Sequence, residues 1–576
     1  MKTDAARFNW KKWRSRLVLL LFLVLTFVVR CHNRGQIFHH GGVYFVDGDC
    51  YSRMTRVKSV LEGHWIIRKH DFENWPQGII PHTTAPMDWL IAGLKPVVEV
   101  VFKIADPRGA SVLKRQALDV AGALVSPLLG MAVAAWLWWW AGRMRLPYRT
   151  AMLLLFALSP IAVHGTVLGR PDHQSLLLFL LAVALGCELR LVHSADDDRI
   201  VRRAWSIAAG SAWGIALWVS LYEPLVLFLA VMLMRVVNDR ANLLARGRRS
   251  GWLALIGFVA LGLIVDGWRV AWPDPALREN FARWSSTIGE LRHLSLAGPL
   301  LWEWLGLLAL VCPVLLWRAG REDRRAVGVL AALLLLLGFT IWQMRWGYFL
   351  LLAFAMSLPW QLRAFRNPWI AWPAMLLAMW PLGSSWWRTL RPTDSMREDQ
   401  AWRQLSHARL RAIADKMRAE PGGGFLAPWW TSPQLAYWSG QPGVAGSSHE
   451  SLPGTLDVAR FLLTTDPLKA AEILRRRQVG WVVADNASFD VVQRDQLLAV
   501  TSSASLLAQR IPEEPFAVTL AMHPSEVPDY LREITPAELG LVRELQPKDG
   551  GSPESRGIKV YATQMHRLYR VESNLP

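Results

Sequence analysis

The chain has 576 residues, of which 52% are apolar and 19% charged, so intrinsic disorder, which needs low hydrophobicity, is excluded. Lys and Arg outnumber Asp and Glu by 64 to 46, a formal net charge of +18, which leaves nucleic acid open until the placement of that charge is known. Thirty-two Trp against nine Tyr favour membrane interfaces, and four Cys exclude a disulfide scaffold or a Cys-rich metal module.

The N-terminal MKTDAARFNWKKWRSR precedes an apolar run. No small-residue cleavage site follows it, so Leu17–Val29 reads as a first membrane helix with its basic end in the cytoplasm. Further expected spans are Leu118–Ala141, Thr150–Thr166, Ser175–Leu191, Ala204–Leu221, Pro224–Val237, Trp252–Trp272, Pro299–Leu316, Val327–Trp342, Gly347–Leu358 and Trp369–Leu382. Several are shorter than the roughly 20 residues of a spanning helix, and together they make about eleven crossings. The loops RMRLPYR, RLVHSADDDRIVRR, NDRANLLARGRR, RAGREDRR and RAFRN all alternate onto the side of the N-terminus. They are short and rich in Arg, as cytoplasmic loops are. The excess charge is therefore largely an orientation signal, and no nucleic-acid partner is expected.

An odd number of crossings puts residues 30 to about 117, the VLGRPDHQ turn, residues 273–298, the QMR turn and residues 388–576 outside the cytoplasm. The expected fold is an α-helical polytopic membrane domain over 1–387 followed by an exported mixed α/β domain over 388–576. In that tail WVVAD and KVYATQ read as strands and VARFLLTTDPLKAAEILRRR as helix. Cys31 and Cys50 follow the first span and are placed to pair if that side is oxidising. Asn486-Ala-Ser488 matches a glycosylation acceptor pattern, for which chance is the simpler source.

Three outer loops carry ionisable groups beside spans: Asp47 and Asp49 in FVDGDCYSRM, Arg170, Asp172 and His173 in GRPDHQ, and Glu290 in SSTIGELRH. Three carboxylates meeting at one membrane face are able to hold a hard divalent cation. Each also has a plainer reading. Asp172 suits a helix N-cap, Asp47 and Asp49 suit a turn, and Glu290 and His173 suit a solvated loop. ENWPQGIIPHTTAPMDWL, with Trp75, His82, Asp88 and Trp89, reads as interfacial packing with some scope to shape a site. Spacing alone does not bring these loops together.

In this order the motifs resemble those of the oligosaccharyltransferase catalytic subunits, GT-C membrane glycosyltransferases that attach lipid-linked glycans to asparagine. Asp49 begins D-x-Y-x-R with Gly63 fourteen residues on, similar to the first acidic motif. VLGRPDHQSLL resembles the second, and residues 287–290, TIGE, resemble the TIxE element. Arg345 in QMRWGYFLLLA resembles the arginine near the donor diphosphate, and PWWTSPQLAYWSG resembles the WWDYG element. The resemblance implies roles. Asp49, Asp172 and Glu290 would bind Mg²⁺ or Mn²⁺, with His173 and Gln174 as further ligand candidates. Asp49 and Glu290 would also act on the acceptor amide, Arg345 and Arg170 would bind the lipid diphosphate, and Trp429, Trp430 and Thr431 would line the acceptor site. The implied partners are a polyprenyl-diphosphate-linked glycan, an acceptor polypeptide or other envelope acceptor, and the bilayer.

Two departures stand out. Gln174 occupies the place of the second acid of the D-x-D/E motif, and Thr431 replaces the aspartate of WWDYG. The second departure leaves the acceptor open among a sequon asparagine, another protein residue, a lipid and an envelope polymer. The reading from a different class is a non-catalytic polytopic transporter or assembly factor. A transporter would more often carry charges in mid-span.

Overall fold

The computed structural model describes residues 10–105, 110–192, 199–243, 245–269, 274–420, 422–485, 497, 500–501, 515–540, 542–547, 558–563 and 565–576. The chain divides into two compact units that interleave in sequence. Unit 1 takes residues 1–37, 83–268 and 289–393, and unit 2 takes residues 38–82, 269–288 and 394–576. Residues 38–82 and 269–288 group with the C-terminal segment. The Asn486 pattern lies outside the described residues.

Unit 1 is helical. Among the described residues four helices are long and apolar enough to cross a membrane: Gln116–Arg143, His173–Leu191, Arg246–Asp266 and Arg325–Trp342. These lengths and compositions mark the chain as a membrane protein. Helices Trp10–Arg30, Tyr222–Leu243 and Gly347–Arg363 enclose other expected spans, and Arg199–Val219 holds all of Ala204–Leu221 but its last two residues.

Three spans expected as single helices are broken, and a fourth is shortened, each for a local backbone reason. Thr150–Thr166 becomes Arg149–Leu158 and Pro160–Gly165, because Ser159 before Pro160 is extended. Pro299–Leu316 becomes Leu300–Leu305 and Leu308–Gly320, parted by Gly306 at φ 77°. Trp369–Leu382 becomes Pro368–Ala378 and Trp380–Leu390, with Pro381 in the first turn of the second. The helix over the fourth, Arg249–Asp266, ends where its C-cap Gly267 takes φ 75°, and residues 270–272 of that expected span lie outside the described residues. Ala85–Ala105 is also a helix; it begins inside the segment read as interfacial packing and runs on past that segment's end at Leu90. Cys31 and Cys50, which an oxidising side would have allowed to pair, are both thiols.

Helices Arg199–Val219 and Arg249–Asp266 cross at small residues. A Cβ at Gly210 would run into the carbonyl of Gly251, and one at Gly214 would lie 2.9 Å from the Leu255 carbonyl. Close backbone approach of this kind is the usual basis of helix association in lipid.

Unit 2 has a four-stranded sheet ordered Gly424–Leu426, Val479–Asp485, His566–Val571, Leu531–Glu533. Its first pair is parallel and the others antiparallel. WVVAD lies in the second of these strands, and KVYAT lies in Ile558–Thr563, which pairs with Val542–Pro547. The expected single helix over VARFLLTTDPLKAAEILRRR is two, Leu452–Leu463 and Pro467–Arg476. Asp466 caps the second through the Leu468 amide, and Pro467 cannot continue the first. Residues 38–82 are tied in by charge as well as packing. Arg477 Nε bonds Asp457 at 2.7 Å, and its Nη1 bonds Asn74 Oδ1, the Trp75 carbonyl and Gln77 Oε1 at 2.7–3.1 Å.

Gly210→Leu should force the two helices apart and lower stability by about 1–3 kcal/mol. Thermal unfolding in detergent measures it, and an unchanged midpoint would contradict the close crossing.

Candidate active site

The loop before helix His173–Leu191 is stitched to two other helices of unit 1. The Leu168 amide donates to the Arg30 carbonyl at 3.0 Å and the Gly169 amide to the Ala123 carbonyl at 2.9 Å. Gly169 sits at φ 79°, and a Cβ there would strike Ile37, so the turn requires glycine. The buried Arg30 guanidinium donates through Nε to Thr166 Oγ1 at 2.6 Å. These contacts fix where Arg170 and Asp172 begin.

Asp172 does occupy the N-cap position, but its carboxylate makes no cap hydrogen bond. It pairs instead with His173 Nδ1 at 2.7 Å and faces Arg170 Nε at 4.0 Å. Its carboxylate therefore faces these neighbours rather than the helix amides, while the helix start supplies favourable positive potential. Asp47 behaves as the plainer reading expects: it caps helix Gly48–Leu61 by accepting from the Cys50 amide at 3.0 Å.

Glu290, in the turn Gly289–Leu291, is held by three donors. Arg170 Nη2 reaches Oε1 at 2.6 Å, Tyr348 Oη reaches the same oxygen at 3.1 Å, and Gln174 Nε2 reaches Oε2 at 3.0 Å. His164 lies behind them. Its Nδ1 is 2.7 Å from Tyr348 Oη and its Nε2 is 3.2 Å from Arg170 Nη1. If Tyr348 donates to Glu290, His164 carries its proton on Nδ1 and accepts from Arg170 on Nε2, so the bonds are mutually consistent. Gln174 Oε1 is buried and makes no hydrogen bond. An orphaned carbonyl oxygen beside two carboxylates suits an oxygen-preferring cation.

Arg345, in the turn Met344–Trp346, pairs with Glu223 at 2.5 Å. Glu223 is 1% exposed and accepts from Ser220 Oγ at 2.9 Å. Arg345 also lies within electrostatic reach of Glu290 and Asp172, and Glu223 within reach of His173. The two ion-paired groups thus form one charged neighbourhood. Arg345 Nε is buried and makes no hydrogen bond. The sequence motifs give no role to Glu223, Tyr348 or His164. A Glu at the start of a span was the one available signal.

In unit 2, Asp49 lies in the first turn of helix Gly48–Leu61. Its charge is felt by His82, as is that of Arg53. His82 bonds Glu450 through Nδ1, 3.0 Å from Oε1 and 3.1 Å from Oε2, and its amide donates to Oε1 at 2.7 Å. Burial works against charge on both partners. The attraction between them prevails, holding His82 above its ordinary value and bringing Glu450 down to about 2. Trp429 and Trp430 meet edge to face at 4.7 Å on the unit 2 core, and Trp430 Nε1 donates to Asp485 at 3.2 Å. Thr431 is 5% exposed, and its hydroxyl donates to the Pro428 carbonyl at 3.0 Å.

No protein-family model and no curated protein sequence matches the chain. Solved structures do. The oligosaccharyltransferase AglB of Archaeoglobus fulgidus, in complex with an inhibitory peptide and a dolichol-phosphate, superposes with a TM-score of 0.63 at 14% identity. The match covers 86% of this chain and 72% of that one. The chain has the oligosaccharyltransferase fold. The same archaeal enzyme complexed with Zn and sulfate matches at TM-score 0.60 and 13% identity, over 94% of this chain and 72% of that one. ArnT of Cupriavidus metallidurans matches at TM-score 0.51 and 13% identity, over 84% and 95%. At these identities the likeness is one of fold.

Two outcomes are expected. Glu223→Gln leaves Arg345 without its carboxylate and should cost on the order of 3 kcal/mol, read as a lowered unfolding midpoint. For His82 the raised value means that the pair's stabilisation is present below the unfolded value and is lost as pH rises through the folded one. For Glu450 the lowered value means that it is present above the ordinary carboxylate range. The midpoint difference between chelator-treated wild type and His82→Gln should be largest near about pH 5–6 and shrink at higher pH. A difference constant from pH 5 to 9 would contradict the pairing.

Proposed function

We propose that this chain is a membrane glycosyltransferase that moves a glycan from a polyprenyl-diphosphate carrier to an acceptor, with protein asparagine as the first candidate. One observation carries the reading. Within the oligosaccharyltransferase fold, Arg170, Asp172, Gln174, Glu290 and Arg345, the positions singled out by motif, share one charged neighbourhood of unit 1. The archaeal relative's dolichol-phosphate and peptide support a lipid-linked donor and a polypeptide acceptor for this chain as well. The positive loops support a cytoplasmic N-terminus, and residues 388–576 then lie outside the cytoplasm.

In this reaction the bond from the anomeric carbon to the diphosphate oxygen breaks and the acceptor nitrogen takes its place. The leaving diphosphate gains charge, so a cation that meets it late lowers the barrier. Arg345 supplies a planar guanidinium whose Nε has no other hydrogen bond, and Arg170 supplies a second. Asp172, Glu290 and the Gln174 carbonyl are the unit 1 oxygens that would hold Mg²⁺ or Mn²⁺, with His173 beside them. When bound, such an ion supplies Lewis-acid stabilisation of the leaving group. The relative's complex with Zn and sulfate supports a metal-binding family.

An amide nitrogen is a weak nucleophile because its lone pair is delocalised. Glu290 and Asp49 are the carboxylates proposed to accept from the amide NH₂ and take its proton. Tyr348 and Gln174 orient Glu290. Trp429 and Trp430 are proposed to line the acceptor site.

One observation favours a second reading of the acceptor. Thr431 stands where the family motif has an aspartate, and its buried hydroxyl is already used on the Pro428 carbonyl. An acceptor without the Asn-x-Ser/Thr pattern fits that position better.

The test is in vitro transfer with lipid-linked sugar, Mn²⁺, and peptides with or without a sequon. Asp49→Ala, Asp172→Ala and Glu290→Ala should each reduce transfer at least about a hundredfold. Activity surviving all three would sink the site assignment. Glycan found only on a non-peptide acceptor would reject the asparagine reading and keep the enzyme class.

A further inference from the structure

We propose that His82, His449 and Glu450 of unit 2 form a binding site for a divalent transition metal of the zinc class. Among the described residues this is the one group of three or more His, Cys, Asp or Glu side chains whose ligand atoms all lie within 4.8 Å of one another. Its composition, two imidazoles and one carboxylate, is that of three-ligand zinc centres that keep a fourth position open.

The spacing fits such an ion. His82 Nδ1 lies 3.0 and 3.1 Å from the two Glu450 oxygens, and His449 Nδ1 lies 3.5 Å from Oε2. Tetrahedral zinc with ligand distances of about 2.0–2.2 Å separates neighbouring ligand atoms by roughly 3.3–3.5 Å. A simple His–Glu pair would need only His82. Here a second imidazole is turned to the same carboxylate, with ring centroids 4.9 Å apart and planes tilted by 32°.

The surroundings hold the ligands in place. Glu450 Oε1 also accepts from the His82 amide, which fixes the carboxylate against the loop that carries the histidine. The turn bearing His449 and Glu450 is anchored at Ser448, whose hydroxyl donates to the buried Glu73 at 2.6 Å, and by Ser451 Oγ on the Ser448 carbonyl at 2.6 Å. Phe281 meets the His449 ring edge to face at 6.0 Å. Supports of this type set ligand orientation in metal sites. The His82 side chain is 41% exposed and the Glu450 side chain 8% exposed, so solvent has access to an open coordination position.

The ligands differ in kind from the carboxylate set of the proposed reaction: nitrogen donors favour zinc, whereas carboxylates and carbonyls favour magnesium and manganese. Site and reaction are therefore separable by experiment. Full-length protein in detergent, stripped with chelator and dialysed, is titrated with Zn²⁺ alone and the bound metal is counted. One equivalent should depend on these residues, with His449→Ala and Glu450→Gln each weakening it by at least about tenfold. Asp172→Ala should leave that equivalent in place. X-ray absorption at the zinc edge of the loaded wild type provides a measurement independent of variant folding. It should show two imidazole nitrogens in the first shell. Zn²⁺ binding unaffected by both variants, an all-oxygen first shell, or no bound equivalent would overturn the proposal. Loss of glycosyl transfer with zinc binding intact would count against the proposed function alone.

Discussion

A guanidinium whose side chain is only 7% exposed persists in a helical membrane protein only where charged or polar partners answer it, because an unpaired charge removed from water costs several kcal/mol. Arg170 meets this constraint with Glu290 on one side and Asp172 on the other. Much of the arrangement of unit 1 follows from it. Glu290 must come to Arg170, so the turn Gly289–Leu291 is brought to the start of helix His173–Leu191. Tyr348 adds a second bond to the oxygen that Arg170 takes, and Gln174 satisfies the other. Arg345 and Glu223 repeat the solution a short electrostatic distance away.

A paired site of this kind is also suited to a reaction in which negative charge grows. Each cation has a carboxylate partner before substrate arrives, so the groups are already oriented. A donor of the proposed kind would compete for a guanidinium that is held in place rather than search for a mobile one. The orphaned Gln174 carbonyl and Arg345 Nε–H are an unsatisfied acceptor and donor inside this network. Unsatisfied buried polar atoms are costly in a purely structural network, and a site that binds a cation and an oxyanion uses them both.

Much of the helical unit was legible from hydropathy, because a bilayer demands long apolar runs and short basic loops leave a strong pattern. The errors came where one residue's backbone overrode composition, at Ser159 before Pro160, at Gly306 and after Met379. Motif order pointed to Arg170, Asp172, Glu290 and Arg345. Glu223, His164 and Tyr348 were not legible, because what makes them part of the site is a partner many positions away. The N-cap position of Asp172 was readable, but not that its carboxylate would leave the helix amides for His173 and Arg170.

The basic excess that first left nucleic acid open became, through its spacing between apolar runs, the basis for an expected orientation. Sequence alone thus determined that the chain crosses a membrane repeatedly and which loops carry its candidate chemistry, because hydrophobic length and loop charge are local, additive properties. Only the tertiary structure decided that residues 38–82 belong with the C-terminal segment, that Glu290 answers Arg170, and that His82 meets His449 and Glu450. Those are pairings of groups up to hundreds of residues apart, and they are set by packing and by the cost of burying charge, which no local pattern encodes.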